Sequence, residues 1–303
     1  MKFTNIKRKS FLTLYFFVKL YVKGGNIMLC DYHVHTDYSD DSTYLMEDVV
    51  KDGIKKGLSE ICFTDHVDYG IKYDWDDPRA FQTRDGMCFA NVNYHEYAKE
   101  IAELKEKYKN QITLKMGLEF GIQTHTIEKY QKLFHEYPFD FIILSIHQVE
   151  DQEFWTQDFQ KGKTQLEYNM RYYQEMLEVV KTYKDYSVLG HMDLITRYDL
   201  NGVIDFAYIQ DIVKDILEIV IKDGKGIEIN TSYHRYGLKD MTPSRDILKL
   251  YKELGGQIIT IGSDSHQPDH LGAYIEEAKE ELKKLGFQHY CTFDKMQPIF
   301  HEL

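Results

Sequence analysis

Seven short apolar runs, each followed by a longer amphipathic stretch, limit what this chain can fold into. Residues 29–32, 60–64, 113–117, 141–145, 187–190, 226–229 and 257–261 have the length and the β-branched or aromatic content of buried strands. Between them apolar residues return at helical spacing over 45–56, 94–108, 126–135, 165–181, 206–221, 244–254 and 273–285. Strand and helix in strict alternation predict parallel strands, because parallel neighbours need a crossover connection. The pattern therefore predicts an α/β barrel of seven βα units. A further run at 289–293 offers an eighth strand, but no helix stands behind it.

Such barrels commonly use about 200–250 residues as one domain, so 303 residues need no second one. No Ser/Gly/Pro-rich linker and no internal repeat interrupts the chain, and residues 28–303 are read as a single domain. Residues 1–27 hold six Lys/Arg and no acid, ahead of the apolar stretch Phe11 to Val18. Lys19 cuts that stretch too short for a membrane span, and no small-residue cleavage site follows it. Lys23-Gly-Gly-Asn-Ile before Met28 is what a translated ribosome-binding sequence would give, so 1–27 is read as a leader extension. The formal charge of −12 then leaves −18 for residues 28–303. A body so acidic, with no Lys/Arg stripe, argues against a phosphate-backbone partner, and no membrane partner is expected. Four cysteines without CxxC spacing fit reduced thiols and a cytoplasmic protein.

In parallel barrels chemistry gathers where the strands end at the C-terminal face. Here the seven runs lead into His33-Val-His35, Asp65-His66, Glu119, His147, His191, Asn230 and Asp264-Ser-His266. Period two along a strand turns both imidazoles of His-x-His to one side, where they can share an ion. One such pair is a weak signal. Its recurrence at almost every strand end predicts a centre of several metal ions.

These residues resemble the PHP family, named for polymerases and histidinol phosphatases, and within it the stand-alone histidinol-phosphatase branch. The motifs are Asp31-Tyr-His-Val-His-Thr36 with Asp40-Asp41-Ser42, Phe63-Thr-Asp-His66, Gly117-Leu-Glu119, Ser145-Ile-His147, Gly190-His-Met-Asp193 with Arg197, Glu228-Ile-Asn-Thr-Ser232 with Arg235, and Ile261-Gly-Ser-Asp-Ser-His266. The resemblance implies a distorted (β/α)7 barrel holding two or three divalent ions. One ion would take His33, His35, Glu119 and Asp264, and Glu119 would bridge to a second on His147 and His191. A third would take Asp41, His66 and His266. Some family members place a histidine where this chain has Asp41, which hardens the third site. Mixed His/carboxylate donors suit Zn, Mn or Fe alike.

The resemblance further implies a phosphatase acting on L-histidinol phosphate in histidine biosynthesis. Glu119, Asp264 and His266 are the expected catalytic groups. Glu119 bridges the ions, and Asp264 or a rim histidine serves the leaving alkoxide. Arg197 and Arg235 are placed to clasp the phosphate of a small phosphomonoester. Asp31, Asp65 and Asp193, each beside a ligand histidine, are expected to orient imidazoles. The loop with Tyr69, Tyr73 and Trp75 reads as a lid, Trp155 as a stacking partner for the substrate imidazole, and Asp74, Asp76 and Asp77 as a docking point for its ammonium. Alternatives within the same chemistry are another small phosphomonoester or a nucleotide. A DNA-processing module conflicts with the acidic body, and a scaffold role conflicts with the complete ligand set.

Overall fold

The computed structural model describes residues 28–81, 83–84 and 87–303, so the 1–27 extension lies outside the described residues. Seven strands, β1 Cys30–Val34, β2 Glu60–Phe63, β3 Thr113–Gly121, β4 Phe141–Ser145, β5 Val188–Leu189, β6 Gly226–Asn230 and β7 Ile259–Gly262, pair in sequence order and in parallel. The ring closes where His35 N donates to Ser265 O at 2.8 Å and Ser265 N donates to His33 O at 3.1 Å. This is the expected (β/α)7 barrel. Its distortion is visible in a register slip between β1 and β2 and in a β5 of only two residues.

β3 runs to Gly121, past the expected 117, because a short extended segment after β2, His66–Val67, gives its second half a neighbour opposite β4. Glu119 consequently lies inside a strand, held between His66 and Ile143. Helices α1 Met46–Lys56, α2 Tyr94–Tyr108, α3 Ile127–Glu136, α4 Gln165–Thr182, α5 Gln210–Lys222, α6 Arg245–Glu253 and α7 Ile275–Lys284 surround the strands. The 206–221 helix begins later than expected, at Gln210, since Asp205 accepts from Ala207 N and caps a separate 3-10 turn over Phe206–Tyr208. Tyr172, Tyr173 and Met176 of α4 are buried, so its aromatic run is core. Thr164 and Glu167 cap α4 reciprocally, side chain to backbone in both directions. Thr164→Ala should therefore lower unfolding free energy by about 1 kcal/mol in denaturant titration, and an unchanged midpoint would deny the cap a role in stability.

The run at 289–293 is not an eighth barrel strand. It forms β8 His289–Asp294, hairpinned with β9 Gln297–Glu302 through Lys295 and Met296 at φ 47° and 64°. Because the ring is already closed between β1 and the end of β7, the run folds under the barrel: the Phe293 ring packs 5.0 Å from Phe141, and its amide donates to Tyr32 Oη. Cys30, Cys62 and Cys291 are buried in this plug as free thiols. No helix among the described residues is long and apolar enough to cross a membrane.

Candidate metal centre

Glu119 is fully buried at the C-terminal mouth of the barrel, and its two oxygens face different groups. Oε1 accepts from Ser145 Oγ at 2.6 Å and lies 2.7 Å from His191 Nε2 and 3.0 Å from His147 Nε2. Oε2 lies 3.0 Å from His66 Nδ1, 3.1 Å from His33 Nε2 and 3.5 Å from His35 Nε2. Asp264 Oδ1 stands 3.6 Å from His35 Nε2 and 3.9 Å from His33 Nε2. Asp41 Oδ2 reaches His266 Nε2 at 3.1 Å and His66 Nε2 at 3.5 Å. All nine expected ligands are thus brought to one place.

The donor set fits cations. A tetrahedral ion with bonds of about 2.0–2.1 Å holds its donors roughly 3.3 Å apart, and His35 Nε2 stands slightly farther, at 3.5 and 3.6 Å, from its two carboxylates. His35 Nε2 is buried without a hydrogen-bond partner, an expensive arrangement for a nitrogen that serves nothing. The donor atoms of His33, Glu119 and His191, of His33, His35 and Asp264, and of His35, His66 and His266 converge in sets within 4.8 Å. Burial and the adjacent His266, His66 and His33 hold the His35 pKa well below the usual histidine value, so its lone pair is available. Burial alone would raise Glu119 and Asp264, but the surrounding positive charge, His33 foremost, keeps both well below the usual carboxylate range.

Orientation of the imidazoles comes from residues to which the sequence pattern gave no such role. Glu228, buried within β6, meets His33 Nδ1 at 2.5 Å through Oε1 and accepts from His191 N at 3.0 Å through Oε2. Asp68 Oδ1 is 2.7 Å from His147 Nδ1. Each fixes which nitrogen its histidine turns inward. The available signal was a charged residue inside an apolar strand for Glu228, and for Asp68 an acid two residues past His66. Gly121 and Gly262 make room for both contacts: a Cβ on Gly121 would lie 1.9 Å from Asp68 Oδ1, and one on Gly262 would lie 2.2 Å from His33 Cβ.

The three aspartates expected in that role act otherwise. Asp31 accepts from Ser263 N, Ser263 Oγ and Gly272 N, tying β1 to the chain after β7. Asp193 accepts from Ser244 N and touches no imidazole, and burial pushes its carboxyl up to about 7. Asp65 acts only at one remove, accepting at 2.7 Å from Ser39 Oγ, which stands 3.2 Å from His35 Nδ1. In each case a backbone amide or hydroxyl lies nearer than any ring.

Above the cluster opens a cavity of about 430 Å³ lined by Ile71, Lys72, Glu153, Trp155, Leu194, Tyr198, Tyr236 and His270, together with Arg197 and Arg235. Arg197 stacks 4.0 Å over the Tyr236 ring and donates to Ser232 Oγ at 2.7 Å, while its buried Nε has no partner. Arg235 donates to the carbonyls of Ser263 and Asp264 at 2.7 and 2.5 Å. Trp155 lies at this mouth, but Trp75, Asp74 and Asp76 line a different cavity beside α2 and α3. The loop is pinned away from the mouth by the Tyr69–Tyr94 hydroxyl contact and by Tyr94 Oη donating to Asp74 at 3.3 Å, so it presents Ile71 and Lys72 to the site instead.

A closed parallel barrel with histidines and carboxylates converging at its C-terminal mouth defines the class of metal-dependent barrel hydrolases. The model of the PHP domain matches residues 31–232, and the chain belongs to that family. The histidinol-phosphatase of Lactococcus lactis subsp. lactis is 34% identical over 270 residues, which cover 88% of this chain and 95% of that protein. A probable histidinol-phosphatase of Clostridium acetobutylicum is 29% identical over 280 residues, covering 91% and 97% respectively. The crystal structure of the L. lactis histidinol phosphate phosphatase, complexed with zinc, L-histidinol and phosphate, aligns with a TM-score of 0.77, covering 89% of this chain and 98% of that one.

Proposed function

We propose that this chain hydrolyses L-histidinol phosphate to L-histidinol and phosphate, a step of histidine biosynthesis, using two or three divalent ions with zinc among them. The observation that carries the reading is the pairing of the Glu119-centred donor cluster with two arginines at one cavity. His33, His35, Glu119 and Asp264 would hold one ion, Glu119 with His147 and His191 a second, and Asp41, His66 and His266 a third. When bound, such ions supply positive charge to the phosphoryl oxygens and make water more acidic.

The chain's own groups do the rest. Arg197, lining the cavity 3.5 Å from Asp264 Oδ2, binds and orients the phosphate, while Arg235 stands beside it 3.4 Å from the same oxygen. At the same edge Asp264 and His266 stand 3.5 Å apart, and with Asp264 held ionised, His266 is the group we assign to the proton that the leaving alcohol needs. Trp155, Leu194 and Tyr198 offer apolar surface to the imidazole and exclude water. Free buried thiols suit a cytoplasmic setting.

A panel assay tests the substrate. Histidinol phosphate should exceed p-nitrophenyl phosphate and nucleotides in kcat/KM by about a hundredfold or more, since a site built for polar substrate groups discriminates strongly. Equal rates across the panel would leave a general phosphoesterase and remove the assignment to histidine biosynthesis.

A further inference from the structure

Lys72 is a buried cation at the mouth of the site for which the reaction as described has no use. After His66–Val67 the chain turns on itself, with the amides of Ile71 and Lys72 donating to Asp68 O at 3.2 and 2.8 Å. The turn folds the Lys72 side chain back, and its ammonium sits 2.8 Å from Asp68 Oδ2 and 2.7 Å from Asp40 Oδ1. Lys72, Asp68 and Asp40 are nearly enclosed, with side chains 10%, 5% and 13% exposed. Burial works against the ammonium, but Asp68, Asp40 and Asp41 outweigh it and keep it protonated.

Each carboxylate that Lys72 holds leads to a different part of the metal centre. Asp68 meets His147 Nδ1 through its other oxygen. Asp40 adjoins Asp41, whose side chain is 42% exposed and so is placed less by its own packing than by the turn that carries it. Asp68 has a second option. Its donor atom, with those of His66 and His147, forms a set within 4.8 Å that could itself take an ion. An ammonium on Oδ2 keeps this carboxylate facing the far nitrogen of His147, where it orients a ligand and does not compete with one.

We propose that Lys72 is a positioning residue, a strut joining the His147 side of the centre to the Asp41 side, so that retention of the ions at both depends on one buried ion pair. This rests on the metal reading given above.

The test is zinc retention by the full-length chain, loaded with Zn²⁺, dialysed against graded chelator and counted by elemental analysis, with kcat and KM for p-nitrophenyl phosphate in parallel. Lys72→Met keeps length and removes charge. It should lose zinc at about 10- to 100-fold lower chelator, the usual scale for groups that orient ligands, with kcat falling more than KM changes. Lys72→Arg should restore most of the retention. Asp40→Asn leaves Asp68 paired and should loosen only the ion on the Asp41 side. The proposal is overturned if Lys72→Met holds zinc as the unaltered chain does, even with a lowered melting temperature. Should Lys72→Met not fold, unaltered retention by Asp40→Asn overturns it equally. An unaltered chain that keeps no zinc would refute the metal reading itself.

Discussion

Glu119→Gln should reduce kcat/KM by about 10³-fold or more and lower the number of bound ions, while the chain stays folded. The expectation follows from how its carboxylate is shared. One oxygen serves His147 and His191 and the other serves His33, His35 and His66. An amide is close in shape but turns one of these oxygens into a donor, which would point N–H groups at imidazole nitrogens or cations. It can no longer bridge, and each role of a metal in hydrolysis is worth several kcal/mol, with about 1.4 kcal/mol per tenfold in rate. Elemental analysis and steady-state kinetics on one preparation decide it. Near-normal turnover with full metal content would end the bridged-centre mechanism, and an unfolded variant by circular dichroism would show that Glu119 is needed for the fold.

The barrel could be read from the sequence because its strands are buried on both faces and so appear as apolar runs punctuated by helices. The clustering of its histidines and acids was legible for a related reason: a polar side chain that ends such an apolar run has no core to fill there. What failed was legibility of direction and of long-range contact. Asp65 adjoins His66 and Asp31 and Asp193 lie two residues from His33 and His191, but spacing along the chain does not say which backbone amides and hydroxyls the fold brings nearer, and these acids reach Ser263, Thr36 and Ser244. Glu228 orients His33 from 195 positions away, a relation made only by closure of the ring. The terminal run at 289–293 had the composition of a barrel strand, and only its hairpin with residues 297–302 sends it beneath the barrel. The loop after His66 looked long enough to be a lid, yet its tyrosine hydroxyl contacts fix it against α2.

The two arginines, both expected at the phosphate and Arg235 the more strongly from the resemblance, should separate by experiment. Arg197 is braced by Tyr236 and Ser232, lies 3.5 Å from Asp264 Oδ2 and lines the cavity, where its guanidinium can give a charged hydrogen bond to phosphate. Arg197→Ala should cost roughly 2–4 kcal/mol in kcat/KM, about 30- to 1000-fold, with metal content intact, and Lys should not restore it because an ammonium lacks the planar fork. Arg235 is already committed. Its two terminal nitrogens hold the carbonyls of Ser263 and Asp264, and Asp264 has φ 54°, a backbone conformation that a non-glycine residue keeps only under constraint. Removing that clamp lets Asp264 relax, so Arg235→Ala should lose activity together with zinc affinity. The discriminating measurement is zinc retention against chelator for both alanine variants beside their kcat/KM. If Arg197→Ala released zinc while Arg235→Ala held it, the roles would be exchanged. If neither lost activity, the phosphate would have to be held without either arginine.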